Sequence, residues 1–149
     1  MSKERIKSEY FSLEELTHSS VGTASGLANV PGPQEVKNLQ LLVTTVLDPL
    51  RRLLGRPITV TSGYRCRLLN TAVHGSPNSQ HLTGQAADIT TGDPATNHYL
   101  AQLLRHSGIP FDQLIAEYCD PRTGDPRVLH VSYNHGHCRR QFWSSRTNH

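Results

Sequence analysis

The chain has 149 residues, a formal net charge of +3 and 36% hydrophobic residues. This length fits a single domain with a sizeable buried core, and the apolar fraction excludes a disordered chain. No apolar run reaches the length of about eighteen residues that a transmembrane helix needs. The mild basic charge suits a polyanionic partner such as a cell wall or a nucleic acid, but it does not choose between them.

The N-terminal residues carry charges and are not followed by an apolar segment, so they do not predict a secretory signal peptide. We therefore expect a protein made in the cytoplasm, for which a substrate outside the cell membrane would require another route of release. The three cysteines, Cys66, Cys119 and Cys138, form no CxxC pair. They predict free thiols in a reducing compartment rather than a disulfide framework.

The N-terminal third predicts helices. Ser12 and Glu15 have the spacing of a capping box and predict a short helix. Residues 20–33 are rich in glycine, proline and small residues, which favours an ordered loop. Residues 34–54 carry apolar side chains at helical spacing, and Pro49 within them should kink or divide the helix.

The middle of the chain alternates between short strands and helices. Strands are predicted at residues 57–62 and 85–90, and a helix at 65–73. Asp93 and Pro94 have the N-cap and first-turn pattern of a further helix that ends near Ser107.

Two strands are predicted at residues 113–118 and 128–133, joined by the turn-rich segment DPRTGDP. A hairpin centred on that segment would place Glu117 directly opposite His130 on one face. The other face would be mainly apolar and would face the core. A carboxylate and an imidazole would then lie together on the face away from the core.

The segment SQHLTGQAAD, residues 79–88, has a histidine and an aspartate seven residues apart among small or uncharged residues. A catalytic zinc ion usually has three protein ligands and one open position. His81, Asp88 and His130 are candidates for such a set, and Glu117 is a candidate general base for water activated by the metal. The alternative is a surface histidine and an aspartate that ends a strand.

The same segment resembles the S-x-H-x-x-G-x-A-x-D motif of the zinc D-Ala-D-Ala carboxypeptidase family of peptidoglycan peptidases. The five fixed positions are Ser79, His81, Gly84, Ala86 and Asp88. The family's SGYR segment also occurs, at residues 62–65, and VLHVSY resembles its last ligand strand. The resemblance extends over roughly residues 10–133 and is closest to short, single-domain members from bacteria and phages.

The resemblance implies a Hedgehog-like zinc fold, with Zn²⁺ bound by His81, Asp88 and His130. It also implies that Arg65 binds a substrate carboxylate and that Ser79 supports the site. The expected substrates are peptidoglycan stem peptides. Many relatives have an acidic residue three positions before the last histidine, where this chain has Arg127. Glu117 is therefore the candidate base, and Asp125 is the alternative.

We expect an α+β fold in which helices pack on one face of a small antiparallel sheet and the zinc site lies on the other. A single domain is predicted for residues 10–143, with flexible ends at 1–9 and 144–149. The expected protein is a monomeric zinc metallopeptidase without a nucleic-acid partner, acting as a carboxypeptidase or an endopeptidase. A zinc-stabilised binding domain without turnover is the alternative function.

Two C-terminal segments have alternative interpretations. The segment HGHC, residues 135–138, could form a second, structural metal site, although a loose turn is the stronger prediction. The segment CRRQFW, residues 138–143, interleaves basic and aromatic residues as single-strand nucleic-acid binders do. A solvated tail with one packed aromatic residue is the stronger prediction there.

Overall fold

The computed structural model describes residues 6–145. Parts of the predicted flexible ends, residues 1–5 and 146–149, lie outside the described range. The helices are α1 (Leu13–Thr17), α2 (Ser20–Ala24), α3 (Pro33–Leu42), α4 (Asp48–Leu54), α5 (Arg67–Ala72) and α6 (Pro94–His106). The strands are β1 (Thr59–Ser62), β2 (Ala86–Thr90), β3 (Gln113–Glu117), β4 (Val128–Ser132) and β5 (Gln141–Ser144).

The five strands form one sheet in the order β1-β2-β4-β3-β5. The first three neighbouring pairs are antiparallel, whereas β3 and β5 are parallel. The predicted α+β class is therefore confirmed, and the sheet is mostly rather than wholly antiparallel. Among residues 6–145, no helix is both long and apolar enough to cross a membrane.

The two faces of the sheet differ in burial, as the alternation of side chains along a strand requires. One face is apolar and fully buried, and it packs against side chains of α3, α4 and α6. Its sheet residues are Ala87, Ile89, Leu114, Ala116, Leu129 and Val131. The opposite face presents polar and titratable side chains, including His130 and Glu117, and forms the floor of a cleft.

The predicted helix over residues 34–54 is divided, as Pro49 suggested. A π-helical turn, Val43–Leu47, connects α3 to α4 and leaves Pro49 in the first turn of α4. There the missing N–H of proline is tolerated. Gly55 ends the helix in the left-handed conformation, with a φ of 70°. The predicted capping box at Ser12 and Glu15 is also present.

The predicted hairpin register is wrong by two residues. Ile115, not Glu117, lies opposite His130, and Glu117 pairs with Val128. The connection is closed by hydrogen bonds between Asp120 and Asp125 and between Gly124 and Asp120. This closure places its midpoint between Arg122 and Thr123, one residue earlier than the predicted pairing of Glu117 with His130 implies. Because a shift of two residues preserves the face of each side chain, Glu117 and His130 still share the cleft face.

Two segments expected to lack regular structure contain elements. Residues 20–24 form the short helix α2 within the predicted loop, capped by Ser19, whose hydroxyl accepts the N–H of Gly22. The segment predicted as a solvated tail contains β5. Pairing with β3, which is distant in sequence, stabilises that strand, so local composition does not reveal it.

Candidate metal centre

Three donor atoms converge at the floor of the cleft. Nε2 of His81 lies 3.2 Å from Oδ1 of Asp88, and Nδ1 of His130 lies 3.1 Å from the same oxygen. All three donor atoms lie within 4.8 Å of one another. This is the one group of three or more potential metal ligands within residues 6–145, so the histidines and cysteine of 135–138 form no such site there.

His81 is positioned by a short 3₁₀ helix, Gln80–Thr83. Ser79 caps this helix, because its hydroxyl accepts the backbone N–H of His81 at 3.1 Å. The ring Nδ1–H donates to the carbonyl of Gly63 at 2.6 Å. In the neutral ring this bond leaves the lone pair on Nε2, the atom that faces Asp88.

Gly84 ends the 3₁₀ helix and explains why the segment after His81 requires a glycine. Its φ is 75°, and an added Cβ would lie 2.5 Å from the carbonyl oxygen of Glu35 in α3. The left-handed conformation and the close approach both exclude larger residues. The buried Ala86 and Ala87 then bring β2 directly beneath the cleft.

Asp88 and His130 face each other across two neighbouring strands, since they are paired residues of β2 and β4. Their side chains are only 13% and 12% exposed. Burial raises the pKa of Asp88, but the adjacent imidazoles of His81 and His130 lower it by more, through charge and hydrogen bonds. The pKa of this carboxyl therefore lies well below its ordinary value, and Asp88 is ionised at neutral pH.

These residues fit a tetrahedral metal ion. Ligand bonds of about 2.0–2.2 Å place two tetrahedral donors about 3.3–3.6 Å apart. The separations of 3.1 and 3.2 Å need only a small outward movement to reach this value. A cation could bind both the lone pair that the Gly63 bond leaves on Nε2 of His81 and the negative charge of Asp88.

Glu117 lines the same cleft. Its side chain is half-buried, and its carboxylate accepts no hydrogen bond from any of the described residues. Burial and then the negative charge of Asp88 raise its pKa, although His130 and Arg65 act in the opposite direction. A carboxylate with a raised pKa and no hydrogen-bonding partner in the described chain has the properties of a proton acceptor.

Arg65 also lines the cleft, and its guanidinium group is held at three points. It donates to Oγ of Ser62 at 3.0 Å and to Oδ1 of Asn70 at 3.3 Å. A third contact joins Nη2 to Oδ2 of Asp88, also at 3.3 Å. Arg65 therefore orients the carboxylate of Asp88 from the side opposite the two histidines, a contact that the sequence did not predict.

Asn70 and Asn29 are supporting residues that the sequence analysis missed. The buried Asn70 connects Arg65 to the backbone carbonyl of Ser76. Asn29 donates to the carbonyls of Thr17 and Tyr64 and accepts the N–H of Cys66. The sequence signal of Asn29 is weak because its partners lie 12 to 37 positions away, whereas the partners of Asn70 are only five and six positions away.

Asp112 is a third missed residue and is fully buried. It accepts hydrogen bonds from Gln80, beside His81, and from the guanidinium group of Arg139 near β5. Hydrogen bonding to Arg139, opposed by burial, lowers the pKa of Asp112 to about 2. The contact connects the 3₁₀ helix to the C-terminal segment.

Asp125 and Arg127, which lie shortly before His130 in the sequence, do not line the cleft. Asp125 is in the hairpin connection, where its carboxylate is 4.0 Å from Nδ1 of His98, and it does not line the cleft. Arg127 donates to the carbonyl of Tyr118 and is 3.7 Å from Asp120. Of the two candidate carboxylates, only Glu117 lies in the cleft.

Comparison with known proteins agrees with this geometry. Residues 9–120 match the peptidase M15 family. The chain belongs to this family. The match includes His81, Asp88 and Glu117 but ends before His130, which the structure brings to the same place. The chain is also 33% identical, over 100 residues, to the zinc D-Ala-D-Ala carboxypeptidase of Streptomyces albus G. That alignment covers 66% of this chain and 35% of the relative, so the chain spans about a third of the relative's length.

Proposed function

We propose that this M15 family member is a zinc-dependent peptidase that hydrolyses a peptide bond in peptidoglycan stem peptides. The observation that supports this proposal most strongly is the convergence of Nε2 of His81, Oδ1 of Asp88 and Nδ1 of His130 in an open cleft. Two imidazoles and one carboxylate are a donor set suited to catalytic zinc. The relative from Streptomyces albus G, whose name includes both zinc and D-Ala-D-Ala, supports the choice of metal and substrate.

Each ligand has a role that its surroundings support. His81 binds through Nε2 because its other nitrogen is occupied by Gly63. Asp88 binds through Oδ1, while Arg65 keeps Oδ2 in place. When bound, Zn²⁺ supplies a Lewis acid that acidifies water and polarises a carbonyl group.

Glu117 acts as the general base in this proposal. Its carboxylate lies on the same face as His130 and accepts no hydrogen bond from residues 6–145, so it is free to accept a proton from the attacking water. It can then return that proton to the leaving amine. The raised pKa makes Glu117 a better proton acceptor than a fully solvated carboxylate.

Arg65 recognises the terminal carboxylate of the stem peptide. A guanidinium group has five N–H donors, and three are used by Ser62, Asn70 and Asp88. The remaining two can bind a carboxylate at the cleft. Ser79 supports the site through the backbone of His81.

Incubation of the zinc-loaded protein with purified muropeptides, followed by mass spectrometry, tests this function. Loss of one alanine from the stem would identify a D,D-carboxypeptidase, and separation of cross-linked dimers would identify an endopeptidase. Activity should disappear with a chelator and return with zinc. Zinc binding without any change in the muropeptides would instead support a binding domain without turnover.

A further inference from the structure

A single row of side chains crosses all five strands on the cleft face. Asp88 is paired with Ser62 on one side and with His130 on the other. His130 is paired with Ile115, and Ile115 is paired with Trp143 in β5. Paired residues of neighbouring strands point to the same side of a sheet. Trp143 therefore lies on the same face as the candidate metal ligands, at the edge of the sheet.

Strand β5 is anchored by its pairing with β3 and by side chains on either side of Trp143, so the backbone at Trp143 has a fixed position. Phe142 packs against the core side of the sheet, with the guanidinium group of Arg105 4.2 Å from its ring centre. Arg139, just before the strand, forms two hydrogen bonds with the buried Asp112. On the cleft face, Gln113 of β3 donates to Gln141 of β5 at 3.2 Å. A rigid surface loses little conformational entropy when it binds a ligand.

Trp143 is 41% exposed, on a strand of which only Phe142 packs against the core. Neighbouring strands are about 4.8 Å apart, so two strand spacings place Trp143 about 10 Å from His130. An extended peptide covers at most about 3.3–3.6 Å per residue. A ligand that extends from the metal centre to the indole therefore needs about three residues beyond the reacting bond.

From this geometry we infer that Trp143 forms a subsite for the distant part of an extended peptidoglycan stem peptide, and that the enzyme selects long stem peptides over the free dipeptide D-Ala-D-Ala. This inference rests on the proposed function. The occupant follows from the continuity between Trp143 and the cleft floor through Ile115. An indole face offers a large apolar contact area, and the side-chain amides of Gln113 and Gln141 beside it offer hydrogen bonds to a peptide backbone.

The protein contains one tryptophan, so its intrinsic fluorescence reports directly on this subsite. Zinc-loaded Glu117→Gln, in which turnover should be blocked, is titrated with a synthetic stem pentapeptide and with D-Ala-D-Ala. We expect the pentapeptide to change the tryptophan emission and the dipeptide to leave it unchanged. Calorimetry gives the pentapeptide concentration that saturates the protein. An unchanged tryptophan emission at that concentration would overturn the inference, and so would a failure of the pentapeptide to bind.

Kinetics with variants of Trp143 provide the second measurement. Trp143→Ala should reduce kcat/KM for the pentapeptide about tenfold and leave the value for D-Ala-D-Ala unchanged, whereas Trp143→Phe should retain most of the activity. Tyr99→Ala, which removes an exposed aromatic side chain from α6, is the matched control. If Trp143→Ala loses kcat/KM equally on both peptides, or on neither, Trp143 does not form the proposed subsite. If the parent protein cleaves neither these peptides nor purified muropeptides, the proposed function fails, and the fluorescence titration alone decides about the subsite.

Discussion

Glu117 and His130 lie on the same face of the β3–β4 hairpin, offset by two residues rather than directly opposite each other. Diagonal neighbours of this kind have Cα atoms about 7–8 Å apart, which long side chains can span. The carboxylate of Glu117 can thus approach the metal centre from the side of β3 without being one of the three converging donors.

Replacement of Glu117 by glutamine is the most direct test of the general base. The change keeps the size of the side chain and removes its basicity, so we expect kcat to fall about 100–10,000-fold. Zinc content and the unfolding midpoint should match those of the parent, because Glu117 is not a proposed ligand. Steady-state kinetics, metal analysis and thermal unfolding provide the three measurements.

Asp125→Asn is the matched control for Glu117→Gln, because Asp125 lies in the hairpin connection and outside the cleft. It should retain nearly full activity. An inactive Asp125→Asn together with an active Glu117→Gln would assign the base to the connection instead. Loss of zinc from Glu117→Gln would show that Glu117 is a ligand or a structural partner of one.

Substitutions of Arg65 separate substrate recognition from support of Asp88. Arg65→Lys keeps the positive charge but loses the planar fork, so we expect KM for a stem peptide to rise while the zinc content stays unchanged. Arg65→Ala also removes the contact with Oδ2 of Asp88, and zinc affinity should fall about 10–100-fold. Kinetics and competition with a metal chelator measure the two effects. Parent-like kinetics in both variants would exclude a role in substrate binding.

Gly84→Ala should destabilise the protein through the contact between the 3₁₀ helix and α3. The added Cβ would meet the carbonyl of Glu35 while the backbone remains at a φ of 75°. We expect a loss of about 2–4 kcal/mol in the free energy of unfolding. Gly124→Ala is the control, because its φ is 77° but no atom lies within 4 Å of the added group, and it should cost about 1–2 kcal/mol. Denaturant unfolding measures both losses. An equal loss of unfolding free energy in the two variants would show that the contact with Glu35 relaxes without cost.

The buried contact between Asp112 and Arg139 should make stability depend on pH in the acid range. The pKa of Asp112 is lowered from 3.8 to about 2 in the folded protein. A lowered folded-state pKa stabilises the fold above the unfolded-state value, and this contribution is lost as the pH falls from about 4 to about 2. Asp112→Asn should lower stability at pH 7 and flatten the decline between pH 4 and 2. Denaturant unfolding at several pH values measures the stability at pH 7 and its decline in acid. If the stability of Asp112→Asn declines as steeply between pH 4 and 2 as that of the parent, Asp112 does not cause the decline.

The sequence predicted those features that depend on local patterns. Ser12 and Glu15 are three residues apart, and the capping box they form needs no other part of the chain. The ten residues from Ser79 to Asp88 identified two candidate ligands because the 3₁₀ helix and the start of β2 follow each other directly.

Other features depend on contacts that a local pattern does not contain. The hairpin register was missed because hydrogen bonds within the Asp120–Asp125 connection, rather than the composition of the segment, determine its midpoint. Strand β5 was missed because its partner, β3, lies about two dozen residues earlier in the sequence. The contact between Arg65 and Asp88 was missed for the same reason, since the two residues are 23 positions apart.

The separation of the three donors along the chain has a consequence for biosynthesis. His81 and Asp88 are seven positions apart, but His130 follows Asp88 by 42 positions. At translation rates of about 5–20 residues per second, roughly 2–8 s pass between the synthesis of the second donor and that of the third. During this interval the nascent chain has only two of the three donors, so a metal bound early would keep additional open coordination positions. The complete centre can form only after β4 has left the ribosome and paired with β2.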